Sequence, residues 1–235
     1  MQESNKSNRA VSAIVLVVVG LIVGGAVAYP LGRSMNDDSG TSNMSMSSTA
    51  NVTEDKAAGL RVTLNNLLRE HVTSNLAVTY NIIDGASEQK LQASVDAENA
   101  NAAAIADAVG SVYGDEAKAA VATPFLEHLT NSNNYAKAVK AGDTAAQGQS
   151  LQALQANLRQ ISDVFASVIP SVPSDALYDA LNQHETLMNQ VAEAYQNGDF
   201  TKAYELEDQA LTQISGGADV LTKGIIASKP DMFKN

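Results

Sequence analysis

The chain has 235 residues, and with the first fifty or so reading as anchor and spacer, the rest suits one domain with its own apolar core. A formal net charge of -11 opposes the attraction that phosphate backbones or anionic lipid surfaces require, which argues against nucleic acid as a partner. Cysteine is absent, so disulfides, thiolate metal sites, a thiol nucleophile and a lipid-bearing cysteine are excluded. Tryptophan is absent too and aromatics make up 5%, which disfavours an aromatic platform for sugars or bases; abundant Ala, Leu, Gln and Asn favour helices over strands.

After a short polar tail, residues 1–9, the segment Ala10 to Tyr29 is an uncharged apolar run of 20 residues, long enough as a helix to cross a hydrocarbon core of about 30 Å. Lys6 and Arg9 precede it, while Arg33 after it is offset by Asp37 and Asp38, so the positive charge lies on the N-terminal side. The expected topology is a single-pass anchor at the cell membrane with the C-terminal part extracytoplasmic. A second reading stays open, because Ala26-Val27-Ala28 has the pattern of a signal-peptide cleavage site and cleavage after Ala28 would release a secreted protein. Residues 30–53 are rich in Ser, Asn, Gly, Thr and Asp without apolar periodicity, and read as a disordered linker. Met35, Met44 and Met46 within it offer thioethers to Cu(I), but without His or Cys they make a poor metal site.

From residue 54 to 235 the chain repeats itself. His71 and Gly85, His128 and Gly142, and His184 and Gly198 share one spacing, and each glycine adjoins an aspartate (Asp84, Asp143, Asp199), the chemistry of a helix end followed by a new cap. Around each histidine the same helical face recurs: Leu68, Phe125 or Leu181 three residues before; Val78, Tyr135 or Val191 seven after; Ile82, Val139 or Tyr195 eleven after. The second helices align through Asn101, Ile105, Val109 and Val112 with Asn157, Ile161, Phe165 and Val168, whereas the third unit keeps a looser pattern through Leu206, Leu211, Ile214 and Leu221. Six helices are expected, over roughly 54–83, 87–112, 115–141, 144–168, 174–197 and 200–228. Pro124 is a candidate kink or break, Gly216 and Gly217 should weaken the last helix, and Ser174 is the expected N-cap of the fifth. The predicted fold class is all-α: an N-terminal transmembrane helix followed by a six-helix antiparallel bundle built of three αα-hairpin repeats.

Residues 194–211 resemble the middle of a tetratricopeptide repeat, with its Gly-Asp turn and the spacing of Ala203, Ala210 and Leu211, but a period near 56 does not fit the 34 residues of that family. The Leu-x-Glu-His element at Leu68 to His71, its counterpart Phe125-Leu126-Glu127-His128, and Tyr113-Gly114-Asp115-Glu116-Ala117 resemble a family of exported bacterial helical-bundle proteins over about residues 60–233. That resemblance implies the helical fold and no activity. The third unit departs from it by carrying His184-Glu185 where the others carry Glu-His.

The candidate chemistry lies in the three histidines, which occupy equivalent inward positions and are followed at the next inward position by Asn75, Ser132 and Met188. Glu98 falls on the inward seam of the second helix, where an unpaired carboxylate is costly, so it is expected to meet a histidine, a polar partner or a metal. One expectation is that His71, His128 and His184, with Glu98 or the neighbouring Glu70, Glu127 and Glu185, converge on a divalent transition metal such as Zn, Cu or Fe. The other is that each histidine only packs its own hairpin, repeated by duplication. No P-loop, dinucleotide fingerprint, H-E-x-x-H or G-x-S-x-G occurs, so no catalytic residues and no organic cofactor are assigned. The expected function is a non-enzymatic, membrane-tethered interaction module outside the cytoplasm with a protein partner there; a metal-binding bundle is the alternative.

Overall fold

A computed structural model of the protein describes residues 56–234. The apolar segment 10–29, the linker 30–53 with its three methionines, and the tail 1–9 lie outside the described residues. Among the described residues there are six α-helices and no strands: α1 Lys56–Asp84, α2 Glu88–Tyr113, α3 Asp115–Ala141, α4 Thr144–Val168, α5 Ser174–Gln196 and α6 Phe200–Ser228, followed by a 3-10 turn at Pro230–Phe233. No helix among them is long and apolar enough to cross a membrane.

Three hairpins end their first helix in the same way. Gly85, Gly142 and Gly198 take φ of +67, +65 and +77°, a conformation that costs a residue with a Cβ. The next amide then reaches back to the helix: Ala86 N–H to Asn81 C=O, Asp143 N–H to Ala138 C=O and Asp199 N–H to Ala194 C=O, at 2.9, 3.0 and 3.0 Å. Asp143 and Asp199 also cap the following helices by accepting from the amides of Ala146 and Lys202. In the first hairpin Ser87 is the cap and Asp84 closes the preceding helix.

The helices pack as a closed ring, each against the next and α6 back against α1, while α1, α3 and α5 also touch one another in the middle. Each hairpin therefore has an inner and an outer helix. One hydrogen bond repeats between them: the side-chain amides of Asn101, Asn157 and Gln213 donate to the carbonyls of Leu67, Pro124 and Ala180 at 3.0, 3.0 and 2.8 Å. The acceptor stands four residues before a histidine in every case. Gln213 completes the third unit, whose outer helix keeps only a loose sequence pattern. Leu68, Val72, Val121, Phe125, Leu129, Ile161, Val191 and Ile225 are among the buried residues of the core between these helices.

Two local expectations need correction. Pro124 does not divide α3, which continues from Asp115 to Ala141; the proline is buried and its carbonyl receives the Asn157 amide. Ser174 is the first residue of α5 and not its cap, because its hydroxyl donates to Asp163 Oδ1 at 2.5 Å and Pro173 holds the cap position. The last helix runs unbroken through Gly216 and Gly217, so any weakening by these glycines is a cost in stability and not a break.

The glycines of α6 are not equivalent, which yields a direct test. A Cβ at Gly224 would stand 2.4 Å from Val172 Cγ2 and 3.2 Å from Ile169 Cγ2, whereas one at Gly216 would meet nothing within 4 Å. Gly224→Ala should therefore lower stability by about 1–3 kcal/mol through overpacking, and Gly216→Ala should raise it by up to about 1 kcal/mol through helix propensity. Urea unfolding of the two variants checks both signs.

Candidate functional site: a buried row of three histidines

Because α1, α3 and α5 meet at the centre, equivalent residues on them come together. His71, His128 and His184 are 4, 5 and 3% exposed and form a row with His71 in the middle: its ring centroid lies 5.7 Å from His128 and 5.9 Å from His184. Phe125 packs edge-on against His71 at 5.7 Å and closes that side with hydrocarbon. Packing of each histidine within its own hairpin alone does not describe this arrangement. The histidines converge.

The Nδ1 atom of each imidazole is buried and has no hydrogen-bond partner among the described residues. A buried polar atom left unpaired costs about 1–3 kcal/mol, so three together are a large fraction of an ordinary folding free energy. Burial also disfavours the charged rings. His71 is lowered to about 4; His128 is lowered to about 3, by burial first and then by His71; His184 falls well below 6.5 by burial and by both neighbours. At neutral pH all three are neutral, and each carries one nitrogen with a free lone pair.

Glu185 joins the row from α5. Its Oε2 lies 3.7 Å from His128 Nε2, beyond a good hydrogen bond, and it is 4% exposed. The equivalent positions in the other units are the buried Val72 and Leu129, so a carboxylate stands where the repeat otherwise supplies hydrocarbon. Burial raises its carboxyl to about 7 against a smaller opposing effect of the Asn189 amide. Both carboxyl oxygens nevertheless lack a well-formed hydrogen bond among the described residues. Glu70 and Glu127, also named by sequence as helpers, point outward and are exposed.

Glu98 does not reach the histidines. It is fully buried beside the next layer of the inner helices, where Oε1 accepts from Asn75 Nδ2 at 2.7 Å and Oε2 from Asn133 Nδ2 at 3.0 Å. Asn75 and Ser132 bond to each other and join the two inner helices. Its place on α2 puts it at the height of Asn75, four residues past His71, where the partners it meets are the two asparagine amides. Burial raises its carboxyl to about 7, opposed by the hydrogen bonds from Asn133 and Asn75. Leu154 and Ala210 occupy the equivalent positions, so Glu98 breaks the repeat as Glu185 does. Asn133 and Asn189, five residues past their histidines, went unremarked in the sequence; the signal was that shared offset.

As the side chains stand, no three His, Asp or Glu side chains among the described residues form a ready-made metal site. A ligand shared by the three imidazoles therefore needs ring rotation. On the side of the row toward Leu68, Phe125 and Leu181 lies an apolar cavity of about 50 Å³. A void well below the roughly 150 Å³ that admits benzene is packing slack.

The charge states give a pH test. The histidines hold fewer protons in the folded chain than in the unfolded one between about pH 4 and 6.5, so their effect is stability that is lost as pH falls through that window. Glu185 and Glu98 hold more protons when folded between about pH 4.5 and 7, so theirs is stability lost as pH rises through it. The two effects oppose each other near pH 5–6. Glu185→Gln should therefore stabilise the chain by on the order of 2 kcal/mol at pH 8, with the gain vanishing near pH 4; urea melts at both pH values measure it. No family model, curated protein or solved structure matches this chain, and the site is read from its own geometry.

Proposed function

We propose that this protein is a non-enzymatic binding module, tethered to a membrane through residues 10–29 and holding its helical domain outside the cytoplasm, and that its ligand is a transition metal ion. The observation that carries the reading is the convergence of His71, His128 and His184 in the core with three buried, unpartnered Nδ1 atoms. Neutral imidazole is the form that binds metal, and burial keeps these rings neutral well below pH 7, so protons do not compete. Ring centroids less than 6 Å apart suit two imidazoles sharing one ion after modest rotation. Glu185 would supply a compensating negative charge beside His128, either as an orienting partner or as a ligand. An imidazole set with one carboxylate and no thiolate suits Zn(II) or Cu(II) better than Cu(I).

The anchor part of the proposal rests on the apolar run and the charge flanking it, and the non-enzymatic part on the absence of any sequence motif for catalysis. A hydrolase or transferase activity that co-purifies with the chain and disappears on a point substitution would overturn the latter.

Metal binding is tested on the full chain purified without chelator, by elemental analysis and by thermal unfolding during titration with Zn(II), Cu(II) and Fe(II). One ion per chain is expected, with a rise in melting temperature that grows with metal concentration. His71→Phe keeps a ring in the centre of the row and should abolish that rise, whereas Glu98→Gln should retain it. No bound ion, or equal binding by the His71→Phe variant, would overturn the reading and leave the row as a packing feature solvated by buried water.

A further inference from the structure

The corner of the bundle where α1 and α5 end and α6 begins gathers four aromatic rings, two half-buried against the edge of the core, Tyr80 and Tyr195, and two exposed, Phe200 and Tyr204. Tyr80 and Tyr195 stack at 4.3 Å between centroids, and Phe200 meets Tyr195 edge-on at 5.1 Å. Tyr204 follows Phe200 by one helical turn and lies near enough to both tyrosines to influence their phenols. Phe200 and Tyr204 are 51 and 59% exposed, yet rings of this size are ordinarily covered, and four of the chain's eleven Tyr and Phe residues stand at this one corner.

Carboxylates surround the rings. Glu207 Oε2 accepts from the Tyr80 hydroxyl at 2.8 Å and Asp84 Oδ2 from the Tyr195 hydroxyl at 3.2 Å. Asp208 is exposed one turn beyond Tyr204. Between residues 193 and 208 there are five acidic side chains (Glu193, Asp199, Glu205, Glu207 and Asp208) and one basic, Lys202, which lies 3.8 Å from Glu205. The nearby Lys140 ammonium is spent on the Ile82 carbonyl.

We propose that this aromatic and acidic corner is the docking surface for an arginine-bearing segment of a protein partner. A guanidinium lies flat on an aromatic face while its fork bonds a carboxylate, and this surface offers both within one helical turn. The alternatives fit the chemistry less well. A second copy would bring a corner of the same charge, an anionic membrane would be repelled, and a small quaternary amine needs an enclosing cage that two rings stacked on each other do not make. The inference is independent of the metal reading, since none of these residues belongs to the histidine row.

The test uses the full chain and a fluorescently labelled peptide of alternating arginine and glycine with four arginines, followed by anisotropy. Saturable binding that weakens with salt is expected. Phe200→Ala combined with Tyr204→Ala should weaken it at least about fivefold, and Glu207→Gln with Asp208→Asn should weaken it similarly. Glu116→Gln combined with Glu127→Gln, which removes an equal charge from exposed sites on α3, should leave affinity within about twofold. Far-UV circular dichroism confirms that the variants are folded; all the altered residues except the half-buried Glu207 are exposed. Equal losses in the acidic corner variant and in the Glu116→Gln, Glu127→Gln control would reduce the binding to net charge and overturn the proposal. So would an absence of peptide binding, or self-association that the Phe200 and Tyr204 changes abolish.

Discussion

Each histidine is placed by a hydrogen bond made one helical turn before it. Asn101, Asn157 and Gln213 on the outer helices donate to Leu67, Pro124 and Ala180 on the inner ones, and those carbonyls stand four residues ahead of His71, His128 and His184. The bond sets the height of the outer helix against the inner helix in each hairpin. With a common αL turn closing each pair, the three hairpins become similar objects with their histidines at the same level. When the three inner helices meet, the row follows.

The interior this creates is unusually polar. Above an apolar layer of Leu68, Phe125 and Leu181 come the imidazoles, and then the Asn75, Ser132, Asn133 and Glu98 network. In that second layer both Glu98 oxygens accept amide hydrogens, which offsets much of the burial of the carboxyl, and Asn133 Oδ1 alone is left without a partner among the described residues. The histidine layer is not satisfied, and the contrast between two adjacent layers of one core is informative. What remains open in the histidine layer is three nitrogens and the Glu185 carboxyl.

Departures from the repeat carry as much information as the repeat. Glu98 replaces the hydrocarbon of Leu154 and Ala210, and Glu185 that of Val72 and Leu129. A carboxylate in place of a buried aliphatic group loses apolar burial and adds desolvation, so each must be offset by contacts specific to its site. For Glu98 those contacts are the two asparagines. At the surface a similar asymmetry appears, since only the third hairpin joins Phe and Tyr at the start of its outer helix to an acidic run.

By itself the sequence determined the elements and their boundaries to within a few residues, the three hairpins, the inward face of each inner helix and the equivalence of the three histidines. These are legible because helical periodicity, glycine turns and caps are local, and a period of about 56 residues exposes them by repetition. The third outer amide, Gln213, escaped because it differs in residue type while doing the same task as Asn101 and Asn157. Tertiary structure alone decided that the histidines meet, that Glu98 belongs to Asn75 and Asn133, and that Glu185 alone of the neighbouring glutamates turns inward. Equal positions on three helices fix only which way the side chains face within each hairpin. Whether those faces share one axis depends on how the ring of helices closes, a property of long-range packing that no local pattern encodes.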